Sequence, residues 1–187
     1  MPDAYESPTA DKIAIRPSAE EDIEAIAAIY AYHVLNGIAS FETEPPTPDE
    51  MRSRWAVLIG GNYPHLVADQ RGRVVGYAYA GPYRPRVAYR DTVENSVYLR
   101  IDAIARGIGR QLLKTLVAEC KTRGFRQMVA VVGDSGNAAS IRLHKRLGFR
   151  LVRVLRSVGY KHGRWLDTVL LQRELAPGDR VPPRSTV

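Results

Sequence analysis

Apolar and polar residues alternate along this chain with two different periods, which predict strands and helices in turn. Residues 12–16 read KIAIR and alternate as a strand does. Ser18 is the predicted N-cap of the helix that follows, and Glu21 completes a capping box with it. This helix carries apolar side chains on one face and ends at Asn36 and Gly37. The members of that face are Ile23, Ile26, Ala27, Tyr30 and Val34.

The same two periods predict the remaining elements. A second helix begins at the cap Thr47 with Pro48 in its first position, and it ends at Gly60 and Gly61. Six further strands are predicted at residues 65–69, 74–80, 92–99, 127–132, 149–160 and 165–173, and two further helices at residues 107–123 and 137–147. The predicted fold class is therefore α/β (α+β), with about seven strands and about four helices.

Three of these elements have distinctive apolar patterns. The helix at 107–123 has a single apolar face, which makes Cys120 a core residue rather than a nucleophile. The strand at 127–132 is a continuous apolar run, as expected of a strand buried on both faces. The last helix places Ala138, Ile141 and Leu147 at apolar positions.

The chain is organised as one domain. Its 187 residues are enough for a proper core, and no repeat or linker divides residues 12–175. We expect residues 1–11 to be a disordered leader and residues 176–187 to be a flexible tail.

Composition excludes several classes of protein. A single cysteine allows no internal disulfide and fits none of the cysteine-rich zinc patterns, and this count suits a reducing cytoplasm. His33, His65 and His162 have no partners at ligand spacing, so no metal site is predicted. No run approaches about 18 apolar residues, so no membrane partner is expected.

The formal net charge is +7, which nucleic acid, an acidic membrane surface or a phosphate-rich small ligand could each explain. The basic residues are spread along the chain without a block of five or six. This pattern favours a generally basic surface over a nucleic-acid-binding module.

A glycine-bearing turn between Leu99 and Gln111 is the first candidate site. Gly107 and Gly109 allow the main chain to approach a ligand closely, because no Cβ stands in the way. A helix that begins after such a turn directs unpaired N–H groups and a positive dipole end toward it. The turn is therefore a candidate anion site, for which phosphate or pyrophosphate is the usual occupant.

Two loops leave a functional and a structural interpretation open. Residues 41–43 are either a plain connection between helices or the wall of a pocket. Residues 81–90 contain three arginines and two tyrosines, and they form either a solvated loop or a loop that binds a carboxylate.

A strand, a glycine turn, a long helix, a second strand and a helix that opens on Asn137 and ends in LGF together resemble the GNAT superfamily of acetyltransferases. The resemblance covers nearly all of residues 12–175. The segments SFETEPPT, YRPRVAYRDTVENSVY, VAVVGDSGNAASIRLHKRLGF and GYKHGRWLDTVLLQREL are similar to the phosphinothricin acetyltransferase branch. That branch includes the enzymes that acetylate methionine sulfone and methionine sulfoximine.

The resemblance implies a GNAT fold whose fourth and fifth strands splay apart, and acetyl transfer from acetyl-CoA to the α-amine of a small amino acid. The diphosphate would lie on the backbone amides of residues 105–110, and the pantetheine arm would pair with free main-chain groups of Val97 and Leu99. The amide of Leu99 could also stabilise the oxyanion. The implied cofactor-binding residues are Val97, Tyr98, Leu99, Ala105, Arg106, Gly107, Ile108, Gly109, Arg110, Asn137 and Ser140.

Catalytic roles are also implied by the resemblance. Glu94 stands at the family position of the carboxylate that removes a proton from the attacking ammonium, although a strand-end glutamate facing solvent is the structural alternative. His144 stands where many GNAT members have a tyrosine. It could protonate the leaving thiolate or order a water beside Glu94, or it could be a core histidine. Asn137 and Ser140 could face the CoA arm, cap their helix, or do both.

The remaining implications concern the amine substrate and assembly. Arg84, Arg86 and Tyr89 could hold the carboxylate end of an amino acid, and Phe41 and Thr43 could form a wall of its pocket. The resemblance also implies a homodimer.

The turn departs from the superfamily signature at two positions. Ile104 stands where arginine or glutamine is expected, and Ala105 stands where glycine is common. Arg100, Arg106 or Arg110 could replace the lost charge. If position 105 needs a positive φ, the alanine adds about 1 kcal/mol of strain.

Overall fold

Residues 13–182 are described by the computed structural model, and their central feature is one mixed seven-stranded sheet. The strands are β1 (Ile13–Pro17), β2 (His65–Gln70), β3 (Arg73–Pro82), β4 (Thr92–Leu99), β5 (Gln127–Gly133), β6 (Arg150–Lys161) and β7 (Arg164–Glu174). Their order across the sheet is β1-β2-β3-β4-β5-β7-β6. Four helices flank the sheet: α1 (Ile23–Asn36), α2 (Pro48–Gly60), α3 (Ile108–Thr122) and α4 (Ala138–Arg146). The predicted fold class, with seven strands and four helices, is confirmed.

The sheet opens between its fourth and fifth strands, as the resemblance implies. β4 and β5 form the one parallel pair of this sheet, and their ladder runs only from the pair Thr92–Gln127 to the pair Asn95–Ala130. Beyond Asn95, β4 continues beside β3 as far as Leu99, and β5 continues beside β7. We call the gap that this leaves between the two strands the slot.

Each face of the sheet is covered by two helices over its own core. α3 and α4 lie on one face, where the apolar side of α3 packs against Val93, Met128 and Leu171. Cys120 belongs to this core and is fully buried, so its predicted core position is confirmed. α1 and α2 lie on the other face over a core rich in tyrosine. All five residues predicted for the inner face of α1 are buried.

Two sequence predictions about helix residues were wrong. Ser18 does not cap a helix, because its hydroxyl contacts His65 and accepts a hydrogen bond from Trp55. The carboxylate of Asp22 instead accepts the N–H of Ala19, 2.8 Å away. Ala138 is exposed rather than part of an apolar core face, because α4 meets the sheet mainly through its second half.

The chain after β7 is anchored as far as residue 182. Leu175 is fully buried, and the guanidinium of Arg126 donates hydrogen bonds to the carbonyls of Gly178, Val181 and Pro182. The remainder of the predicted tail and the predicted leader at 1–11 lie outside the described residues. Within residues 13–182, no helix has both the length and the apolar character needed to cross a membrane.

Candidate active site

The turn before α3 has the backbone conformation of an anion cradle. Gly107 precedes α3 at φ +78°, and Ala105 lies in the same left-handed region at φ +65°. The condition considered for position 105, a positive φ, is met, and it strains the alanine by about 1 kcal/mol relative to glycine. The first N–H groups of α3, at Ile108 and Gly109, have no acceptor within the helix. The positive end of α3 faces this turn, which makes the turn suitable for a phosphate group.

The slot lies beside this cradle and is lined from three sides. β4 contributes residues 95–98, β5 contributes residues 130–133, and the start of α4 contributes Asn137 and Ser140. Asn137 is also the N-cap of α4, because its side-chain oxygen accepts the N–H of Ser140. The two interpretations of these residues are thus compatible: they cap the helix and they face the slot.

Glu94 lies on β4 one residue before the ladder with β5 ends. Its side chain lines a cavity of about 550 Å³ between the sheet and helices α1 and α2. Burial raises the pKa of Glu94 above its usual value, and the positive charge of Arg84 opposes that shift. A half-buried carboxylate with a raised pKa, at the rim of a cavity, can accept a proton from a group bound there.

His144 lies on the opposite face of the sheet from Glu94. It is 5% exposed, and its Nδ1 lies 2.8 Å from the carbonyl oxygen of Ser140, to which it donates. Its Nε2 faces the Asn95 amide, whose oxygen lies 3.0 Å away and whose nitrogen lies 3.4 Å away. Burial lowers the pKa of His144, while the bond to Ser140 opposes the shift.

The structure separates the two catalytic candidates because neighbouring strand residues project to opposite faces. Glu94 faces the cavity under α1 and α2, whereas Asn95 faces the slot and contacts His144. This arrangement favours a role for His144 at the slot over a role in ordering water beside Glu94. Sequence reasoning did not identify Asn95, although a polar residue on the strand face that otherwise carries Val93, Val97 and Leu99 was a usable signal.

The main chain of Leu99 is not fully available to a ligand. Its carbonyl oxygen lies 2.7 Å from His33 Nε2, which donates to it from α1. The expectation of a free carbonyl at Leu99 is therefore corrected. His33 also packs against the ring of Tyr98, with 5.5 Å between the ring centroids. No signal in the sequence indicates the bond between His33 and Leu99, because the two residues are 66 positions apart.

The loop from residue 37 to residue 43 closes one end of the slot and is tied down from three elements. Tyr30 of α1 hydrogen-bonds the Ser40 hydroxyl over 2.8 Å, and the buried Lys161 of β6 donates to the Ser40 carbonyl. Arg54 of α2 forms an ion pair of 2.8 Å with Glu42. Lys161 was not predicted from sequence, since only the tertiary structure brings β6 to this loop.

The predicted wall residues of this loop have different positions. The ring of Phe41 lies against Gly159 and Gly133, and Gly133 is the last residue of β5 at the slot. Thr43 is exposed on the same loop. Phe41 is therefore placed beside the slot as a pocket wall would be, whereas Thr43 is not packed against it.

The predicted carboxylate-binding residues lie together after β3. The guanidinium of Arg84 lies 4.9 Å from the centre of the Tyr83 ring, and Tyr89 meets the same ring edge-on. Arg84 is close enough to Glu94 to influence its pKa. Arg86 precedes the short helical turn at Val87–Tyr89 and is exposed.

Basic side chains gather in a groove of about 460 Å³ that runs from the cradle along α3 toward the end of α4. The charged residues of this basic groove are Arg110, Lys114, Lys121, Arg146 and Arg173. Two of the arginines considered as substitutes for the charge missing at Ile104 are engaged elsewhere. Arg100 pairs with Asp102, and Arg106 donates to the side chain of Gln70. Arg110, which lines the basic groove, is the candidate that the geometry retains.

Residues 13–182 contain no group of three or more His, Cys, Asp or Glu side chains placed to hold a metal ion.

Comparison with known proteins gives consistent matches over most of the chain. Residues 15–170 match the family described as Acetyltransferase (GNAT) domain. A phosphinothricin N-acetyltransferase from Alcaligenes faecalis is 53% identical over 90% of this chain and 86% of its own length. An L-methionine sulfoximine/L-methionine sulfone acetyltransferase from Pseudomonas aeruginosa is 41% identical over 90% of this chain and 98% of its own. A phosphinothricin acetyltransferase from Sinorhizobium meliloti, solved in complex with AcCoA, superposes with a TM-score of 0.91 at 45% identity, covering 94% of this chain and 95% of its own.

Proposed function

The chain belongs to the GNAT acetyltransferase family, and from this premise we propose that it acetylates the α-amine of small amino acids of the phosphinothricin, methionine sulfone and methionine sulfoximine type. Acetyl-CoA is the acetyl donor. The observation that carries the proposal is the position of Glu94, at the rim of a cavity and one residue before the strands part at the slot. A carboxylate at that junction lies where an amine in the cavity and a thioester in the slot would meet.

The residues that would hold acetyl-CoA fit its chemical parts. The left-handed turn at Ala105 and Gly107, together with the N-terminus of α3, suits the diphosphate. The slot between β4 and β5 suits the narrow pantetheine arm, with Asn137 and Ser140 on its α4 side. The basic groove beyond Arg110 suits the phosphate of the adenosine end. When bound, acetyl-CoA supplies an activated thioester carbonyl.

Glu94 acts as the general base in this proposal. A free amino acid arrives as an ammonium ion, and its amine becomes a nucleophile only after it loses a proton. Burial raises the pKa of Glu94, which makes the carboxylate a stronger base than one in water. The amide of Leu99 remains the candidate donor to the developing oxyanion, because only its carbonyl is held by His33.

His144 lies at the slot, on the other side of β4 from Glu94, and is the proposed proton donor to the departing thiolate. Its Nδ1–H is held by the Ser140 carbonyl, so a proton for the departing thiolate would be carried at Nε2, the atom that faces Asn95. Because burial lowers the pKa of His144, a proton at Nε2 would be given up readily. Asn95 is the positioning residue that keeps Nε2 directed toward β4.

The carboxylate end of the amino acid is assigned to Arg84 and its neighbours. Arg84 is close enough to Glu94 to affect its pKa, and an arginine fork matches a carboxylate. Arg86 and Tyr89 extend the same surface, and the ring of Phe41 forms the opposite wall. A cationic polyamine would be repelled by these arginines, which favours the amino-acid class over that alternative.

A homodimer belongs to the proposal because β6 leaves an apolar surface uncovered. This strand is at the edge of the sheet. Four of its apolar side chains are at least 50% exposed: Leu151, Val152, Val158 and Tyr160. Exposed apolar edge strands are usually covered in stable proteins. Sedimentation equilibrium should give twice the mass of 20.8 kDa, and a double change of Val152 and Val158 to Ser should shift it toward the monomer. A monomeric wild-type protein at micromolar concentration would contradict the proposal.

The proposal also includes a location and the partners. The single cysteine is free and buried, which supports a cytoplasmic enzyme. The clustering of basic side chains in the groove beside the cradle favours a phosphate-bearing small ligand over nucleic acid or a membrane surface as the reason for the positive charge.

The experiment that tests the function measures the release of free CoA thiol from acetyl-CoA with a panel of amines. Phosphinothricin, methionine sulfone, methionine sulfoximine, unmodified amino acids, spermidine and an N-terminal peptide make up the panel. We expect rapid release with the amino-acid analogues and little with spermidine or peptide, because the arginine-bearing loop admits a carboxylate and repels a cation. Release with spermidine or the peptide alone would refute the proposed substrate class.

A further inference from the structure

The cavity beside Glu94 extends well beyond the position of that carboxylate. Register pairs Glu94 with Gly81 on β3, and Tyr79 and Tyr77 follow at two-residue steps on the same face of that strand. Tyr77 therefore lies about 13 Å along β3 from Gly81, the residue that pairs with Glu94. The side chain of Glu94, a small amino acid and the side chain of Tyr77 can together span this distance.

Tyr77 is one of the residues that line this cavity. Its ring is fully buried and stacks against His65 at 5.8 Å and against Tyr98 at 5.4 Å. Among the described residues, its hydroxyl oxygen is buried without a hydrogen-bond partner. Burial also keeps the pKa of Tyr77 well above its usual value, so the group remains a donor. A buried donor without an acceptor is costly in free energy, which points to an acceptor supplied from outside the protein.

His65 places a second donor on the same wall. The Ser18 hydroxyl accepts from Trp55 Nε1 at 2.9 Å, and its own proton is directed to His65 Nδ1 at 2.8 Å rather than to the more distant carbonyl of His65. The ring is neutral, because burial lowers the pKa of His65 to about 4. With Nδ1 as the acceptor, the ring proton lies on Nε2.

The charges around this cavity select against an anion. Arg54 lines the cavity, but its guanidinium is paired with Glu42 and Glu50. Glu94 contributes a negative charge at the rim. A buried anion without a cationic partner is strongly unfavourable, whereas an uncharged oxygen acceptor needs only the two donors.

We propose that this cavity receives the side chain of the amino-acid substrate, and that Tyr77 Oη and His65 Nε2 donate hydrogen bonds to an uncharged oxygen at its end. The inference rests on the proposed function, and it narrows the substrate class to neutral sulfone and sulfoximine side chains. An anionic phosphinate or carboxylate is the disfavoured occupant.

Tyr77→Phe is the variant that tests the inference, because it removes only the unpaired hydroxyl. Two readouts are needed: steady-state kinetics, and direct binding followed by the fluorescence of Trp55, which lines the cavity. The binding assay uses a Trp165→Phe background, since the second tryptophan is exposed on β7 and would mask the signal. Methionine sulfone is compared with methionine, which has the same carbon skeleton but no oxygen acceptor, and with phosphinothricin.

We expect the variant to weaken methionine sulfone binding about fivefold to tenfold and to raise its KM similarly, with methionine and acetyl-CoA unaffected. The wild-type protein should bind methionine sulfone about tenfold more tightly than phosphinothricin. The melting temperature should not fall, because no protein hydrogen bond is lost. Tyr63→Phe is the matched control, since that ring stacks on Phe125 away from the cavity.

The possible outcomes distinguish a failure of this inference from a failure of the proposed function. If Tyr77→Phe turned over methionine sulfone as fast as the wild-type protein does, the inference would be overturned and the proposed function would stand. Equal or tighter binding of phosphinothricin would overturn the selection for a neutral side chain. Binding of the sulfone without any turnover would support the cavity assignment and contradict the proposed function. Absence of sulfone binding by the wild-type protein would refute the inference directly.

Discussion

Replacing Glu94 by Gln is expected to lower kcat by about 100-fold or more, because general-base catalysis typically contributes factors of this size. The amide keeps the shape of the side chain and its place on the cavity wall but cannot accept the proton of an ammonium ion. Acetyl-CoA binding should be unchanged, since Glu94 faces the cavity under α1 and α2 rather than the cradle. Both quantities can be measured by thiol release and by titration calorimetry.

The pH profile provides an independent test of the same role. Glu94 acts as a base only when it is ionised, and burial raises its pKa. Activity of the wild-type protein should therefore rise with pH through that raised pKa. In the glutamine variant this limb disappears, while the rise caused by deprotonation of the substrate's own α-amine, at higher pH, remains.

Glu21→Gln is a suitable control because this glutamate is exposed in the turn before α1 and does not line the cavity. It should leave kcat and the pH profile unchanged. Wild-type turnover in Glu94→Gln would rule out the assignment of the base.

Substitution of Gly133 by Ala is expected to reduce both activity and stability. An added Cβ would overlap the carbonyl oxygen of Ile38, which is backbone and cannot rotate away. The loop that carries Ile38 is held through Ser40 by Tyr30 and Lys161, so it cannot withdraw without breaking buried hydrogen bonds. Overpacking of this kind costs about 1–3 kcal/mol in the free energy of unfolding.

The functional effect follows from where Gly133 lies. It is the last residue of β5 and lines the slot. Displacement of the strand end or the loop changes the width of the slot, and small misplacements of reacting groups cost about 100-fold in rate. We expect kcat/KM for acetyl-CoA to fall by about tenfold to 100-fold and the melting temperature to fall by several degrees.

Gly60→Ala is the matched comparison for this change. A Cβ at Gly60 meets no atom within 4 Å, and the position does not have a positive φ. It should behave as the wild-type protein does in thermal unfolding and in kinetics. If Gly133→Ala retained full stability and activity, the close packing of the loop on β5 would not matter for the slot.

Much of the architecture could be predicted because it depends on local and periodic signals. The bounds of β4 agree with the predicted strand, and Thr47 caps α2 as expected from its position before Pro48. The apolar faces of α1 and α3 are buried as their periodicity predicts. The left-handed backbone at Ala105 could also be anticipated, because the position is one where glycine is common. These features are properties of a few neighbouring residues, so the sequence carries them directly.

The sequence alone therefore determined the elements, the glycine turn and the resemblance that identified Glu94 and His144 as candidates. Only the tertiary structure decided that these two residues face opposite sides of the sheet and that His33 donates to the Leu99 carbonyl. It also decided that Ser18 hydrogen-bonds His65 and Trp55 instead of capping a helix. It also decided that Tyr77 and His65 meet in a cavity that Glu94 enters from the rim. The physical reason is that periodicity states which face of an element is buried, whereas the partner that this face meets depends on contacts between residues far apart in the chain.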